Sequence, residues 1–157
     1  MKDVEFCGTL ILLYRQGIID QTDQKPLNQA YEDLQTGYTD AENDKQHICD
    51  AIIELRKFIE DDEILKFVKR KAQLYTVFSV IFYLQREDEN VTDVHVEKLK
   101  NFVKLYSVFD NDMDMDGKLS DEEKNIYDML KKYKLASSEG LNKHCLLYTS
   151  PSPRDCS

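Results

Sequence analysis

The sequence contains no apolar run of the roughly 18 residues that a membrane-spanning helix needs. Its longest uncharged stretch, residues 72–85, includes Gln73, Thr76 and Ser79 and is typical of a buried helix. The N-terminal residues MKDVEF place acids before the first apolar run and are followed by no small-residue cleavage site, so we predict no secretory leader. We therefore expect a cytoplasmic protein that has no contact with a membrane.

Cysteine is scarce, and positive charge is in the minority. The cysteines form no CxxC pair and no zinc-ligand spacing, so we expect two buried thiols and two in the tail. The formal net charge is −9, which argues against general binding to nucleic-acid backbones and fits an acidic surface or a cation site better. The 4 cysteines are Cys7, Cys49, Cys145 and Cys156.

No catalytic constellation is visible, and whether the chain is an enzyme is left open. The histidines lack metal-ligand or triad partners at useful spacing, and we expect ordinary surface or core residues. They are His47, His95 and His144. A basic cluster before the most apolar stretch could contact a phosphate, although a solvated helix face is the simpler interpretation. It consists of Lys66, Lys69, Arg70 and Lys71.

Apolar residues recur at helical spacing and predict an all-α fold, an irregular helical bundle without strands. A first helix ends at Gly17, a second begins at Pro26, and a third covers 42–59. A fourth, capped by Asp61 or Asp62, continues through the nearly all-apolar stretch 74–84. Two more begin at Thr92 or Asp93 and at Ser120. The predicted buried stripes are Val4, Cys7, Leu10, Ile11 and Tyr14 in the first helix, and Ile48, Ile52, Leu55 and Ile59 in the third.

Residues 112–123, DMDMDGKLSDEE, have the chemistry of an EF-hand-type calcium loop. Such a loop needs oxygen ligands at positions one, three and five, glycine at six, a backbone carbonyl at seven and a bidentate Glu at twelve. Alternating carboxylates repel one another unless a cation lies between them. We expect one weakly bound calcium ion, with a Kd on the order of 10⁻⁴–10⁻³ M. The predicted ligands are Asp112, Asp114, Asp116, Lys118 through its carbonyl, Ser120 and Glu123, with Gly117 at the turn.

A second interpretation of this segment stays open. Ser120 and Glu123 form a capping box, which explains the last four residues without a metal. Phe109 is displaced from its usual EF-hand position by two residues, Lys124 stands where an apolar residue is usual, and no second copy of the loop occurs. The alternative is therefore a solvated acidic connector between two helices.

The C-terminal tail differs in composition from the rest of the chain. Residues 145–155, CLLYTSPSPRD, hold two of the 3 prolines and show no helical period. This string resembles the conceptual translation of a transposase-type sequencing adapter. We therefore expect residues 145–157 to be foreign, and the natural chain to continue differently after His144.

Four segments resemble one prokaryotic family. They are MKDVEF with the turn Gly17–Ile18–x–Asp20, LNQAYEDL (27–34), the stretch 66–84, and YKLASSEGLNKH (133–144). Together they are similar to the C-terminal helical region of proteins with a ParB-like N-terminal domain, related to GmrSD-type modification-dependent restriction systems. The resemblance implies that nucleotide-binding and nuclease residues lie in an N-terminal domain outside this chain, and that DNA is reached through that domain.

The predicted organisation has four parts. Residues 1–109 form a helical bundle, 110–134 an EF-hand-like helix–loop–helix, 135–144 the start of a C-terminal continuation, and 145–157 the adapter-derived tail. The expected function is that of a non-catalytic helical fragment of a ParB/GmrSD-like DNA-targeting defence protein with one calcium loop. The alternative is a stand-alone EF-hand calcium-binding protein. The sequence indicates no protein partner.

Overall fold

The computed structural model describes residues 2–17, 25–35, 37–109 and 121–139. Over these ranges the fold is all-α, as predicted, with seven helices and no strand. The helices are α1 (Lys2–Gln16), α2 (Lys25–Leu34), α3 (Ala41–Ile59), α4 (Asp62–Phe67), α5 (Lys71–Arg86), α6 (Asp93–Phe109) and α7 (Asp121–Glu139).

The helix α5 lies at the centre of the bundle. It packs against α1 and α3, while α4 packs against α6 and α6 against α7. Val77, Ile81 and Phe82 of α5 are almost completely buried. The near-continuous apolar stretch therefore predicts a central helix correctly, because a helix that is apolar all round has no solvent-facing side.

One predicted helix is in fact two, and this part of the prediction is wrong. The chain leaves the helical conformation after Phe67 and resumes it at Lys71, with Arg70 in an extended conformation (φ −84°, ψ 130°). The break allows α4 to bury Phe67 against α6 while α5 packs against α1 and α3. No glycine or proline marks this position, so tertiary packing and not local propensity explains the break.

The predicted buried stripes of α1 and α3 are partly wrong. Val4 and Ile52 are exposed, and so are Cys7 and Cys49, which we expected to be buried. In α3 the structure buries Ala51 and Phe58 instead. Cys49 precedes Ala51 by two residues and thus lies about 200° away around the helix. Small Ala51 contributes to the buried face, and a search for large apolar residues overlooks it.

Cys7 and Val4, both exposed, lie in the first half of α1, and the buried leucines of this helix come after them. The fully buried residues of α1 are Leu10, Leu12 and Leu13. The first half packs on α2 at Gly8, where an added Cβ would lie 3.1 Å from Leu27 Cδ1. A larger residue at this position would press on the side chains of Leu27 and Tyr31, so glycine favours the close approach of the two helices.

The predicted cap at Asp61 is confirmed. Its carboxylate accepts hydrogen bonds from the backbone N–H groups of Glu63 (2.9 Å) and Ile64 (3.2 Å), which are otherwise unpaired at the start of α4. Lys100 Nζ of α6 lies 2.7 Å from the same carboxylate. The hydrogen bond from Lys100, assisted by the two backbone donors, holds the pKa of Asp61 below its usual value. One side chain thus caps α4 and joins it to α6.

Candidate functional site

The predicted calcium ligands fall almost entirely outside the described residues. Asp112, Asp114, Asp116, Lys118 and Ser120 belong to the segment 110–120, of which the structure describes nothing. Only the backbone of Glu123 is described, in the first turn of α7. The ligand set therefore stays a prediction. Over the described ranges, no group of three or more His, Cys, Asp or Glu side chains could hold a metal ion.

The helices on either side of this segment pack directly against each other. The ring centroids of Phe109 and Tyr127 are 5.0 Å apart, and those of Phe102 and Tyr133 are 5.1 Å apart. The partners run in opposite order along the two helices, so α6 and α7 are antiparallel. The C-terminus of α6 and the N-terminus of α7 are consequently at the same end of the pair.

Tyr133 anchors α7 to the bundle. Its side chain is 1% exposed and packs edge-on against Tyr106 at 5.7 Å between ring centroids. Its hydroxyl donates a hydrogen bond to Thr76 Oγ1 of α5 at 3.2 Å. Burial raises the pKa of the Tyr133 phenol, because the phenolate would lose its hydration. Tyr133 is thus a contact between α7 and the central helix as well as α6.

The start of α7 suits both interpretations of the acidic segment. The helix begins at Asp121, which is the tenth position of the predicted loop. In the sequence, Ser120 directly precedes this first residue and Glu123 comes three residues after Ser120, which is the spacing of a capping box. The helix boundary alone therefore does not distinguish a calcium loop from an acidic connector.

A cavity of about 460 Å³ lies where α4, the start of α5 and α6 meet. Sequence reasoning treated the basic cluster as a solvated face, and Lys66, Lys69, Arg70 and Lys71 are indeed all exposed. The structure places Lys66 and Arg70 of that cluster at the cavity wall, together with Lys104 from α6. Lys104 is 34 residues beyond Arg70, so no local pattern connects them. The lining residues are Glu63, Lys66, Phe67, Arg70, Gln73, Val103, Lys104, Tyr106 and Ser107.

A second, acidic cavity of about 360 Å³ lies between α3 and the α5–α6 connection. Half-buried Glu54 binds Lys57 Nζ at 2.8 Å and accepts a hydrogen bond from the Val91 N–H at 2.7 Å. His47 at its edge stacks on Tyr14, with 4.7 Å between ring centroids. These contacts hold α3 to its neighbours, and they account for the half-buried acid and the histidine without a ligand. Asp50, Ile53, Gln85, Asp88, Glu89 and Asn90 complete the lining.

A buried polar cluster joins α1 to the start of α3. Asp44 is buried although it lies in the first turn of α3, and sequence reasoning missed it. Its carboxylate accepts hydrogen bonds from Arg15 Nε and from Tyr38 Oη, the latter at 2.5 Å. Burial and the hydrogen bond to Asp44 raise the pKa of Tyr38. The polar groups of Asp44, Arg15 and Tyr38 are thus hydrogen-bonded to one another. This arrangement has a structural role, because it joins α1 to the start of α3.

None of the helices described in the structure is long and apolar enough to cross a membrane. No family model matches the sequence, no curated protein matches it, and no solved structure matches it.

Proposed function

We propose that the chain is a non-catalytic helical module that binds one calcium ion through residues 112–123. The observation that carries this proposal is the spacing of oxygen ligands and glycine in DMDMDGKLSDEE, together with a helix on either side of the segment. The helix α6 ends at Phe109 and α7 begins at Asp121, so a helix precedes the acidic segment and a packed partner helix follows it. A helix, a twelve-residue loop and a second helix are the elements of an EF-hand.

The aromatic packing between α6 and α7 supports the proposal further. Phe109 is the last residue of α6 and contacts Tyr127 in the second turn of α7. The two ends of the acidic segment are thereby held at one end of the helix pair. Asp112, Asp114, Asp116 and Glu123 supply carboxylates, Lys118 a carbonyl and Ser120 the ninth position. Since no paired loop is visible in the sequence, we expect weak binding, with a Kd on the order of 10⁻⁴–10⁻³ M.

Calorimetric titration of calcium into the full chain tests the proposal. Saturable heat is expected for the natural sequence, and its loss is expected in Asp112→Asn and in Glu123→Gln. These substitutions remove the first ligand and the bidentate ligand while keeping side-chain size. Asp110→Asn is the matched control, because it makes the same change two residues before the loop and should leave the binding heat in place.

Two results would refute the calcium site. One is the absence of binding heat up to about 10 mM calcium, well beyond the weak end of the EF-hand range. The other is an equal loss of heat in Asp110→Asn and Asp112→Asn, which would indicate diffuse attraction to an acidic segment. Either result would leave residues 112–123 as a capped acidic connector.

We further propose that this module belongs to a cytoplasmic ParB/GmrSD-like DNA-targeting defence protein, in which another domain carries the nuclease residues. The support for this assignment is the resemblance of four segments, above all residues 66–84, which include the central helix α5. Sequencing of the source DNA tests it. An in-frame upstream region encoding a ParB-like domain is expected, with a DGQQR-like motif. A ribosome-binding site directly before Met1 would contradict it.

A stand-alone calcium-binding protein is the second candidate. The observation in its favour is that a single hydrophobic cluster includes Leu10 of α1, residues of α3 to α6, and Leu130 of α7. A chain with its own continuous core can fold without another domain. The same DNA sequence that would contradict the defence-protein assignment would favour this one.

A further inference from the structure

The cavity between α4, α5 and α6 has an excess of positive charge in its wall. Lys66, Arg70 and Lys104 line it with a single carboxylate, that of Glu63, which leaves a local formal charge of three minus one, or +2. The whole chain has a charge of −9. Across the described part of the chain, none of these three cations forms a salt bridge. Lys66, Arg70 and Lys104 are all exposed, so water offsets much of their mutual repulsion, and a bound anion would offset it further.

The N-terminus of α5 lies at the same wall. Its N-cap residue, Arg70, makes no side-chain capping hydrogen bond. The first N–H groups of a helix have no acceptor within the helix, and the helix dipole adds partial positive charge there. Arg70 and Gln73, which bracket this turn, both line the cavity. The backbone therefore adds to the attraction that the three cations exert on an anion.

The buried side chain of Gln73 supports a ligand site independently of the charges. Its side chain is 1% exposed, yet its Oε1 has no hydrogen-bond partner. Its Nε2 donates only a long hydrogen bond of 3.5 Å, to Tyr106 Oη. Buried polar atoms in proteins are nearly always paired, with protein, water or ligand. The oxygen is enclosed in the structure, so the cavity wall must rearrange locally before Oε1 can accept a hydrogen bond from a ligand hydroxyl or N–H group.

We propose that this cavity binds a small phosphate monoester that carries a hydroxyl group. The phosphate lies between Lys66, Arg70, Lys104 and the first turn of α5, and the hydroxyl donates to Gln73 Oε1. The volume of about 460 Å³ falls within the range of small-molecule sites. A nucleic acid is the poorer fit, because its backbone needs an extended basic surface and the chain has a net charge of −9. The inference goes beyond the calcium proposal and does not depend on it.

Titration of the isotope-labelled full chain with glycerol 3-phosphate, followed by NMR, tests the proposal. Saturable shifts are expected in the backbone amides of residues 71–73 and in the Gln73 side-chain amide. Arg70→Gln and Lys104→Gln should each weaken binding by about tenfold or more, because each removes a charge-assisted hydrogen bond. Lys69→Gln is the matched control. Lys69 is adjacent and exposed but does not line the cavity, and its loss should change Kd less than about twofold.

A second comparison isolates the role of Gln73. Inorganic phosphate should bind more weakly than glycerol 3-phosphate, since it offers no alcohol hydroxyl to the buried amide. Gln73→Leu keeps a similar volume and removes the acceptor. In this variant the preference for the ester should disappear while phosphate binding is retained. Thermal unfolding of the variant should show little loss of stability, because the change removes an unpaired buried oxygen and only the long hydrogen bond to Tyr106 Oη.

Several results would overturn the proposal. No shifts up to about 10 mM ester, tenfold beyond a millimolar Kd, would exclude a useful site. An effect of Lys69→Gln as large as that of Arg70→Gln would indicate non-specific attraction. Tighter binding of a single-stranded oligonucleotide than of the ester would assign the basic wall to nucleic acid instead.

Discussion

Replacement of Tyr133 by alanine is expected to lower the free energy of unfolding by about 4 kcal/mol, the largest effect of any single change considered. The side chain is 1% exposed and packs among Phe102, Tyr106 and Thr76. Alanine would leave a cavity at the junction of α5, α6 and α7 that the surrounding rings cannot fill. Urea unfolding followed by circular dichroism at 222 nm gives the measurement.

Two further variants show whether the loss comes from this packing. Tyr133→Phe removes only the hydroxyl and its bond to Thr76, so a loss of about 1 kcal/mol is expected. Ile126→Ala in the same helix truncates a side chain that is 46% exposed and should cost less than about 1 kcal/mol. Equal losses for Tyr133→Ala and Ile126→Ala would mean that α7 is not anchored through the aromatic cluster.

Replacement of Asp44 by alanine is expected to cost about 2 kcal/mol, the second-largest effect. The change leaves Tyr38 Oη and Arg15 Nε without their shared acceptor. The loss is smaller than for a fully buried ion pair, because the Arg15 side chain is 33% exposed and water can partly replace the carboxylate. Chemical unfolding at neutral pH and moderate ionic strength measures the difference from the natural chain.

Asp40 provides the matched control for this cluster. It lies 3.1 Å from Arg15 Nη2, but its side chain is 64% exposed. Asp40→Ala should therefore cost no more than about 1 kcal/mol, as is usual for surface ion pairs. If Asp40→Ala and Asp44→Ala proved equally costly, burial of the Asp44 carboxylate would not be the source of the effect.

Helical periodicity predicts the fold class and most helix boundaries, because both depend on local spacing and caps. The start of α4 after Asp61 and the start of α6 at Asp93 are examples, since each depends on residues within one turn. The break between Phe67 and Lys71 has no such local cause. The break depends on which helices α4 and α5 pack against. That choice of packing partners cannot be predicted from a single sequence.

The orientation of a helix face is harder to predict than its existence. Ile52 has the right spacing for the core, yet small Ala51 occupies the buried position. Spacing fixes positions relative to one another, but the absolute rotation of a helix depends on its neighbours. Asp44 was missed for the same reason, because its acceptor role needs Arg15 from a different helix and Tyr38 from a turn.

The two candidate sites differ in how far the sequence can predict them. The proposed calcium loop is a contiguous string, Asp112 to Glu123, so its ligands can be proposed from spacing alone. The basic cavity combines Arg70 with Lys104, which packing alone brings together. Of that cavity, the sequence indicates only the cluster from Lys66 to Lys71. The buried amide of Gln73 carries no sequence signal, because glutamine within a helix is ordinary.

The way α7 is attached determines the order in which the fold comes apart. It packs chiefly on α6, whereas α5 is enclosed by α1 and α3. Detachment of α7 therefore leaves the packing of α5 on α1 and α3 in place, while it breaks the contacts of Tyr133 with Phe102, Tyr106 and Thr76 and uncovers the ring of Tyr106. Such helices open in partial unfolding events that need much less free energy than complete unfolding. Amide protons of α7 are thus expected to exchange with solvent sooner than those of α5.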